Sequence, residues 1–244
     1  MQKLTLSLVD LSIAFIPVVV VLYLMWRSEF NIKKPMFALA RMLLQLLVIG
    51  YFLLYIFNQG NAAVIVALLF FMMLVASWIA LNVVAQRTWP LYLITLIALL
   101  FGGGSVLLVI TQGVMKISPW YQAKMMIPLA GMIFSSSMTG ISIALERFES
   151  EYLALVEATS LSKKTITQKA FHAAMIPIIN TMFAVGVVAL PGMMTGQILS
   201  GVEPYIAARY QIMVMCMIFS ATGLTVYVFL MLYTRCLINK QVKQ

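Results

Sequence analysis

Long runs without charge constrain this chain more than any other feature. The stretch Val64–Val75 contains no charged residue and is apolar on every helical face. Across the whole chain 63% of residues are hydrophobic and 9% are charged, whereas soluble domains average about 45–50% apolar and about 25% charged residues. So few charges cannot cover a water-facing surface, so lipid must surround most of the exterior. The sequence therefore predicts an all-α integral membrane protein of the cell inner (plasma) membrane.

The apolar runs are long enough to cross the bilayer as helices. Only a helix satisfies every backbone group inside lipid without a neighbouring segment. The sequence predicts a polytopic bundle of about seven transmembrane helices, each able to cross roughly 30 Å of hydrocarbon, at about 5–26, 36–57, 62–84, 90–111, 125–145, 175–199 and 208–234. Since no linker or low-complexity segment divides the chain, we expect a single transmembrane domain over residues 1–244.

The basic residues predict the orientation. Of the 16 lysines and arginines, 12 fall on one side of the predicted membrane and 4 on the other. Cytoplasmic loops carry the excess of basic residues, so the N-terminus is predicted outside and the C-terminus in the cytoplasm. Because these charges are dispersed between apolar spans, we read the net charge of +9 as a topology signal and expect membrane lipid, with no nucleic acid, around the chain.

One sizeable hydrophilic segment lies between the fifth and sixth predicted spans, at Glu146–Ala174. Within it Phe148, Tyr152, Leu155 and Val156 recur at helical spacing. The sequence therefore predicts an amphipathic cytoplasmic segment that offers an apolar stripe to a partner.

No enzyme constellation is visible. The chain has one histidine, His172, and lacks the partners that a histidine metal site or a Ser-His triad needs. The glycine-rich Gly102–Ser105 lies inside a span and no lysine follows it, so close helix packing explains it better than phosphate binding. We expect no catalytic residues and no cofactor in this chain, and the residue pattern leaves a metal site undefined.

A helix break is predicted at Leu190–Gly196. Proline removes a backbone donor and two glycines lie nearby, and such a break is tolerated in a membrane only where protein or water covers the freed backbone. Broken helices often build substrate sites in transporters, whereas an ordinary kinked helix is the equally open alternative. The candidate pathway residues of the break are Pro191, Gly192, Met193, Met194 and Thr195.

Polar residues inside other spans are further candidates. Ser135, Ser137, Thr139 and Asn180 either line a pathway or make hydrogen bonds between helices. Asp10 is either a functional carboxylate or a wet residue near the outer end of its span. Methionines are either soft-metal ligands or apolar filler; those considered are Met126, Met132, Met138, Met182, Met193 and Met194.

The most specific motif of the chain runs Leu190-Pro-Gly-Met-Met-Thr-Gly-Gln-Ile-Leu-Ser-Gly-Val-Glu-Pro204 and continues at Arg209-Tyr-Gln-Ile212. Together with Ile176-Pro-Ile-Ile-Asn180 and Ile127-Pro-Leu-Ala-Gly-Met132, it resembles the FetB-type permease family of ABC transporters. That family includes bacterial iron-export permeases and related plant proteins linked to aluminium tolerance. Glu157-Ala-Thr-Ser-Leu161 resembles the loop by which ABC permeases dock into their ATPase.

The resemblance implies the membrane subunit of an ABC exporter, acting as a homodimer with separate ATPase chains that carry ATP and Mg. It implies metal export, with iron as cargo, although Asn180 and Phe183 stand where some members carry an Asp and a Lys. An ion-coupled secondary transporter or channel without an ATPase is the alternative from another class. The residues implied in ATPase coupling are Tyr152, Leu155, Val156, Glu157 and Leu161.

Overall fold

The protein is helical throughout almost all of the chain that the structure describes. A computed structural model describes residues 8–84, 87–157 and 163–241. Within them, five helices are long and apolar enough to cross a membrane, and a shorter apolar helix covers Leu11–Arg27. This confirms a multi-pass helical membrane protein. The five long helices are Lys33–Leu53, Ala62–Val83, Trp89–Val114, Ala123–Tyr152 and Pro204–Leu237.

The chain divides into two compact units, and the first is Met1–Gln59. It contains α1 (Leu8–Ile13), α2 (Ile16–Arg27) and α3 (Lys33–Gln59). The prediction of one span over 5–26 was wrong in detail, because the helix breaks between α1 and α2. Pro17 lies in the first turn of α2, where its missing N–H costs no helical hydrogen bond.

The second unit, Gly60–Gln244, holds the remaining helices. Asn61 caps its first helix, since the Asn61 side-chain oxygen accepts a hydrogen bond from the Ala63 amide at 2.9 Å. Two π-helical turns, Leu99–Gly104 and Val109–Val114, interrupt the span that begins at Trp89. The helices of this unit are α4 (Ala62–Ala80), α5 (Trp89–Ala98), α6 (Ser105–Leu108), α7 (Ala123–Glu157), α8 (Lys163–Ala184), α9 (Gly192–Leu199) and α10 (Pro204–Gln241).

Helix α10 is central in this unit and packs against α7, α8, α5, α9 and the first π turn. Glycines let the helices approach closely. A Cβ at Gly102 would lie 2.5 Å from the backbone N and Cα of Thr225, and one at Gly140 would lie 2.8 Å from Cγ2 of Thr222. The prediction that Gly102 serves close helix packing is confirmed.

The hydrophilic segment predicted at Glu146–Ala174 is the junction of two long helices. Helix α7 continues through Glu146 to Glu157 without interruption, giving 35 residues or roughly 52 Å at about 1.5 Å per residue. Helix α8 begins at Lys163 and runs through Ala174 into the sixth predicted span. Residues 158–162, which include Leu161, lie outside the described residues.

The sixth predicted span, 175–199, is not one helix. Helix α8 ends at Ala184 and α9 begins at Gly192, so the chain breaks completely rather than kinking. The amides of Val188 and Ala189 both donate to the Ala184 carbonyl oxygen, at 2.8 and 3.1 Å. Gly186 has a φ of +87°, which glycine adopts without steric cost. A break was predicted, but it lies at residues 185–191, and Pro191 directly precedes α9.

Candidate functional site: a hydroxyl-lined cavity

A cavity of about 640 Å³ lies between α7, α8 and α10. Helix α7 contributes residues at positions 128, 132, 135 and 139, which share one helical face. The lining residues, all in the second unit, are Pro128, Gly131, Met132, Ser135, Ser136, Thr139, Gly140, Ile143, Ala174, Pro177, Ile178, Thr181, Met215, Ile218 and Thr222.

Hydroxyl groups give this cavity its polar character. The hydroxyl oxygens of Ser136 and Thr222 lie 2.8 Å apart and join α7 to α10. The Thr139 hydroxyl donates to the Ser135 carbonyl oxygen at 3.0 Å, and the Thr181 hydroxyl donates to the Pro177 carbonyl oxygen at 2.9 Å. Since these threonine protons bond within their own helices, the oxygen lone pairs remain as acceptors for a ligand or water.

Two prolines inside helices border the cavity. Pro128 lies within α7 and Pro177 within α8. Each removes the amide that would bond the carbonyl four residues earlier, on Lys124 and Ala173 respectively. Freed backbone groups in a membrane need cover from protein or water, so both helices are weakened beside the cavity. Sequence analysis used these prolines only as parts of a motif, although a proline inside an apolar span was a readable signal.

The predicted polar residues divide between the cavity and its surroundings. Ser135 and Thr139 line it, as predicted candidates for a pathway. Ser137 is fully buried on another face of α7, and its hydroxyl has no hydrogen-bond partner in the described part of the chain. Asn180 is exposed and does not line the cavity, whereas its neighbour Thr181 does.

The predicted break residues do not line this cavity. Gly192 is exposed, and a Cβ there would meet no atom within 4 Å. Met193 and Met194 are half-buried in the first turn of α9. The Thr195 hydroxyl donates to the Pro191 carbonyl oxygen at 3.2 Å. The break therefore forms a separate feature at the start of α9, and its part in a pathway stays a prediction.

The described residues hold no group of three or more His, Cys, Asp or Glu side chains that could bind a metal ion. The cavity instead offers hydroxyl oxygens and the thioethers of Met132 and Met215. Among the other methionine candidates, Met126 is buried and Met182 is exposed, while Met138 is half-buried. Asp10 lies in α1, but its side chain is outside the described residues.

An ion pair joins α7 to α8 beyond the cavity. Oε2 of Glu151 lies 2.9 Å from Nζ of Lys169, and the other carboxylate oxygen contacts Arg147. The Glu151 side chain is only 13% exposed, so this pair is better shielded from water than a typical surface pair, which contributes about 0–1 kcal/mol. It links the end of α7 to the start of α8.

The predicted coupling stripe begins with aromatic contacts to α10. The Tyr152 ring stacks on Phe148, with centroids 6.2 Å apart, and Phe148 meets Tyr233 of α10 edge-on at 5.2 Å. Leu155, Val156 and Glu157 continue the stripe along α7, but their side chains are outside the described residues. The stripe therefore starts as a contact with α10, and docking of an ATPase on its continuation stays a prediction.

The whole of this architecture falls within one match to a known family. The model of the Uncharacterised protein family UPF0014 matches residues 8–238. The chain belongs to the UPF0014 family. This confirms the family resemblance read from the motif around Pro191, and with it a membrane permease family as the setting of the cavity. No solved structure matches the chain.

The UPF0014 chain has relatives in bacteria and plants. It is 32% identical to the UPF0014 membrane protein slr1647 of Synechocystis over 80% of this chain and 79% of the relative. It is 29% identical to the Probable iron export permease protein FetB of Escherichia coli, over 88% and 86% of the two chains. It is 30% identical to Protein ALUMINUM SENSITIVE 3 of Arabidopsis thaliana, over 88% and 81%.

Proposed function

We propose that this UPF0014 chain is the membrane-spanning subunit of an ABC exporter that moves a metal ion through the cavity between α7, α8 and α10. A homodimer would work with two separate ATPase chains, which supply the sites for ATP and Mg. The hydroxyl-lined cavity is the observation that carries the proposal. Iron is the favoured cargo because FetB is named a probable iron export permease and covers most of this chain. We further propose seven spans with a cytoplasmic C-terminus.

The cavity chemistry suits passage rather than retention. Its lining contains hydroxyls, thioethers and apolar groups, and none of its side chains is ionisable. Conduction requires binding that is favourable enough for entry and weak enough for release. Neutral oxygens such as those of Ser135, Thr139 and Thr181 meet both conditions for a cation that keeps part of its own ligand shell.

The helices that wall the cavity also provide the coupling. Helices α7 and α8 extend beyond the cavity to the Glu151–Lys169 ion pair. A push from the ATPases on these joined ends would move both helices together. The breaks in hydrogen bonding at Pro128 and Pro177 then give each helix a point at which to bend beside the cavity. Closure of the ATPases would thereby switch access to the pathway.

The test is metal export by cells or by vesicles that contain the chain and its ATPase. The double substitution Thr139→Val and Thr181→Val removes two cavity hydroxyls whose protons bond only within their own helices. At about 0.5–1.5 kcal/mol for each lost contact, we expect transport to fall about tenfold or more. Thr234→Val is the matched control, because its hydroxyl makes the same bond, to the Leu230 carbonyl oxygen at 2.7 Å, outside the cavity.

Two further variants separate the cavity from the helix break. Gly192→Leu and Thr195→Val change the break without touching the cavity lining. Loss of export in these two, with normal export in the threonine pair, would move the pathway to the break. Export that continues without any ATPase would instead favour the ion-coupled transporter or channel.

A further inference from the structure

A second cavity, a groove of about 1070 Å³, lies between α8 and α10 on another side of these helices. Its walls are largely apolar, with Phe171 and Met175 from α8 facing Leu224 and Tyr227 from α10. Gly223 forms part of its floor, where an added Cβ would meet the Met175 side chain at 3.5 Å. The proposed export function uses none of these residues.

The two helices run antiparallel along the groove. Phe171 meets Tyr227, with ring centroids 6.5 Å apart, and one turn further along α8 Met175 faces Gly223, one turn earlier on α10. Ascending residue numbers on α8 therefore pair with descending numbers on α10. The start of α8 and the end of α10 consequently lie at the same end of the groove.

The length of the groove matches one leaflet of a bilayer. Its lining spans twelve residue steps on α8, from Thr167 to Ile179, and twelve on α10, from Phe219 to Met231. At about 1.5 Å per residue this is roughly 18 Å, and half of a hydrocarbon core of about 30 Å is roughly 15 Å. The groove thus extends from one membrane surface to about the bilayer midplane.

Polarity changes along the groove in the direction that a phospholipid requires. The midplane end is apolar, at Ile179 and Phe219, whereas the other end carries Gln168 and His172. One helical turn further out on the same faces lie two exposed cations, Lys164 four residues before Gln168 and Arg235 four residues after Met231. Basic groups at such a position attract anionic headgroups.

We propose that the groove binds an anionic phospholipid, with an acyl chain along Phe171, Met175 and Tyr227 and the headgroup at Lys164 and Arg235. A second copy of the chain is the competing occupant. The lipid fits better, because the groove is graded from apolar to basic along the helix axes over the length of one leaflet. A protein surface has no reason to match that gradient.

The experiment is native mass spectrometry of the full chain, released from detergent after titration with phosphatidylglycerol or phosphatidylcholine. We expect preferential retention of phosphatidylglycerol. Arg235→Ala should reduce that retention about fivefold, the equivalent of about 1 kcal/mol for one basic residue at an anionic surface. Arg209→Ala is the matched control, an exposed arginine near the opposite end of α10, and should retain the lipid as the parent chain does.

A second pair of variants tests the groove itself. Gly223→Leu fills the floor beside Met175 and should remove bound lipid of both kinds, whereas Gly50→Leu, at a position with no atom within 4 Å of the added Cβ, should not. Equal retention in Arg235→Ala and Arg209→Ala overturns the proposal. A disulfide-linked dimer formed through Ser220→Cys, in a chain freed of Cys216 and Cys236, also overturns it, because a second copy then occupies the groove.

Discussion

Replacement of Gly102 by alanine should separate the first π turn from α10. The added methyl group would lie 2.5 Å from both the backbone N and Cα of Thr225, and it would also overlap the Thr225 hydroxyl. A side-chain rotation cannot relieve a contact with backbone, so the helices must move apart by about 1 Å to restore ordinary contact. Overpacking of this kind typically costs about 1–3 kcal/mol, and we expect Gly102→Ala to lose that much stability.

The matched control is Gly104→Ala, two residues along the same turn. There the added methyl group would meet only Cδ1 of Leu100, at 3.8 Å. We expect unchanged stability or a gain of up to about 1 kcal/mol, the helix-propensity difference between glycine and alanine. Unfolding of both variants in one detergent, followed against added denaturing detergent, provides the comparison. Equal stabilities would refute the reasoning that α10 rests on the backbone at Gly102.

A consequence for transport follows from the position of Thr225. Thr222, one turn earlier on α10, lines the cavity and pairs with Ser136. Displacement of α10 at Gly102 would therefore widen the gap across that hydroxyl pair. We expect Gly102→Ala to lower metal export more than Gly104→Ala does, even at a temperature where both variants are folded.

Two further predictions concern orientation and partner binding. In a chain freed of its two native cysteines, Gln122→Cys should react with a membrane-impermeant thiol reagent from outside, and Thr88→Cys only from the cytoplasm; the reverse pattern would invert the proposed topology. Leu155→Asp places a charge on the apolar stripe of α7 and should abolish co-purification with the ATPase, whereas Ala154→Asp, on the opposite face by helical spacing, should not; equal yields would place the docking surface elsewhere.

The membrane class and much of the helix pattern could be predicted without the structure. Uncharged runs such as Val64–Val75 admit no soluble fold, because too few charges remain to cover a surface. The break near Pro191 was predicted from proline chemistry, although it lies at residues 185–191. The first span was predicted as unbroken over 5–26, and the separation of α1 from α2 before Pro17 was missed.

The continuous α7 was missed for a related reason. Hydropathy falls after residue 145, and the sequence was read as leaving the helix where it leaves the membrane. Polar residues such as Glu149 and Glu151 are good helix formers, so α7 continues to Glu157. Hydropathy therefore predicted where the lipid contact ends, but it did not predict where the helix ends.

By itself, the sequence determined the solvent of this protein, its helical class, its family motif and the presence of weak points at prolines. Only the tertiary structure decided which polar residues share a cavity. Adjacent residues differ by about 100° around a helix, so Ser135 lines the cavity while Ser137 is buried elsewhere. Ser136 meets Thr222 across 86 residues of chain. No local pattern encodes such a contact, because it depends on how far apart two helices pack and how each is rotated.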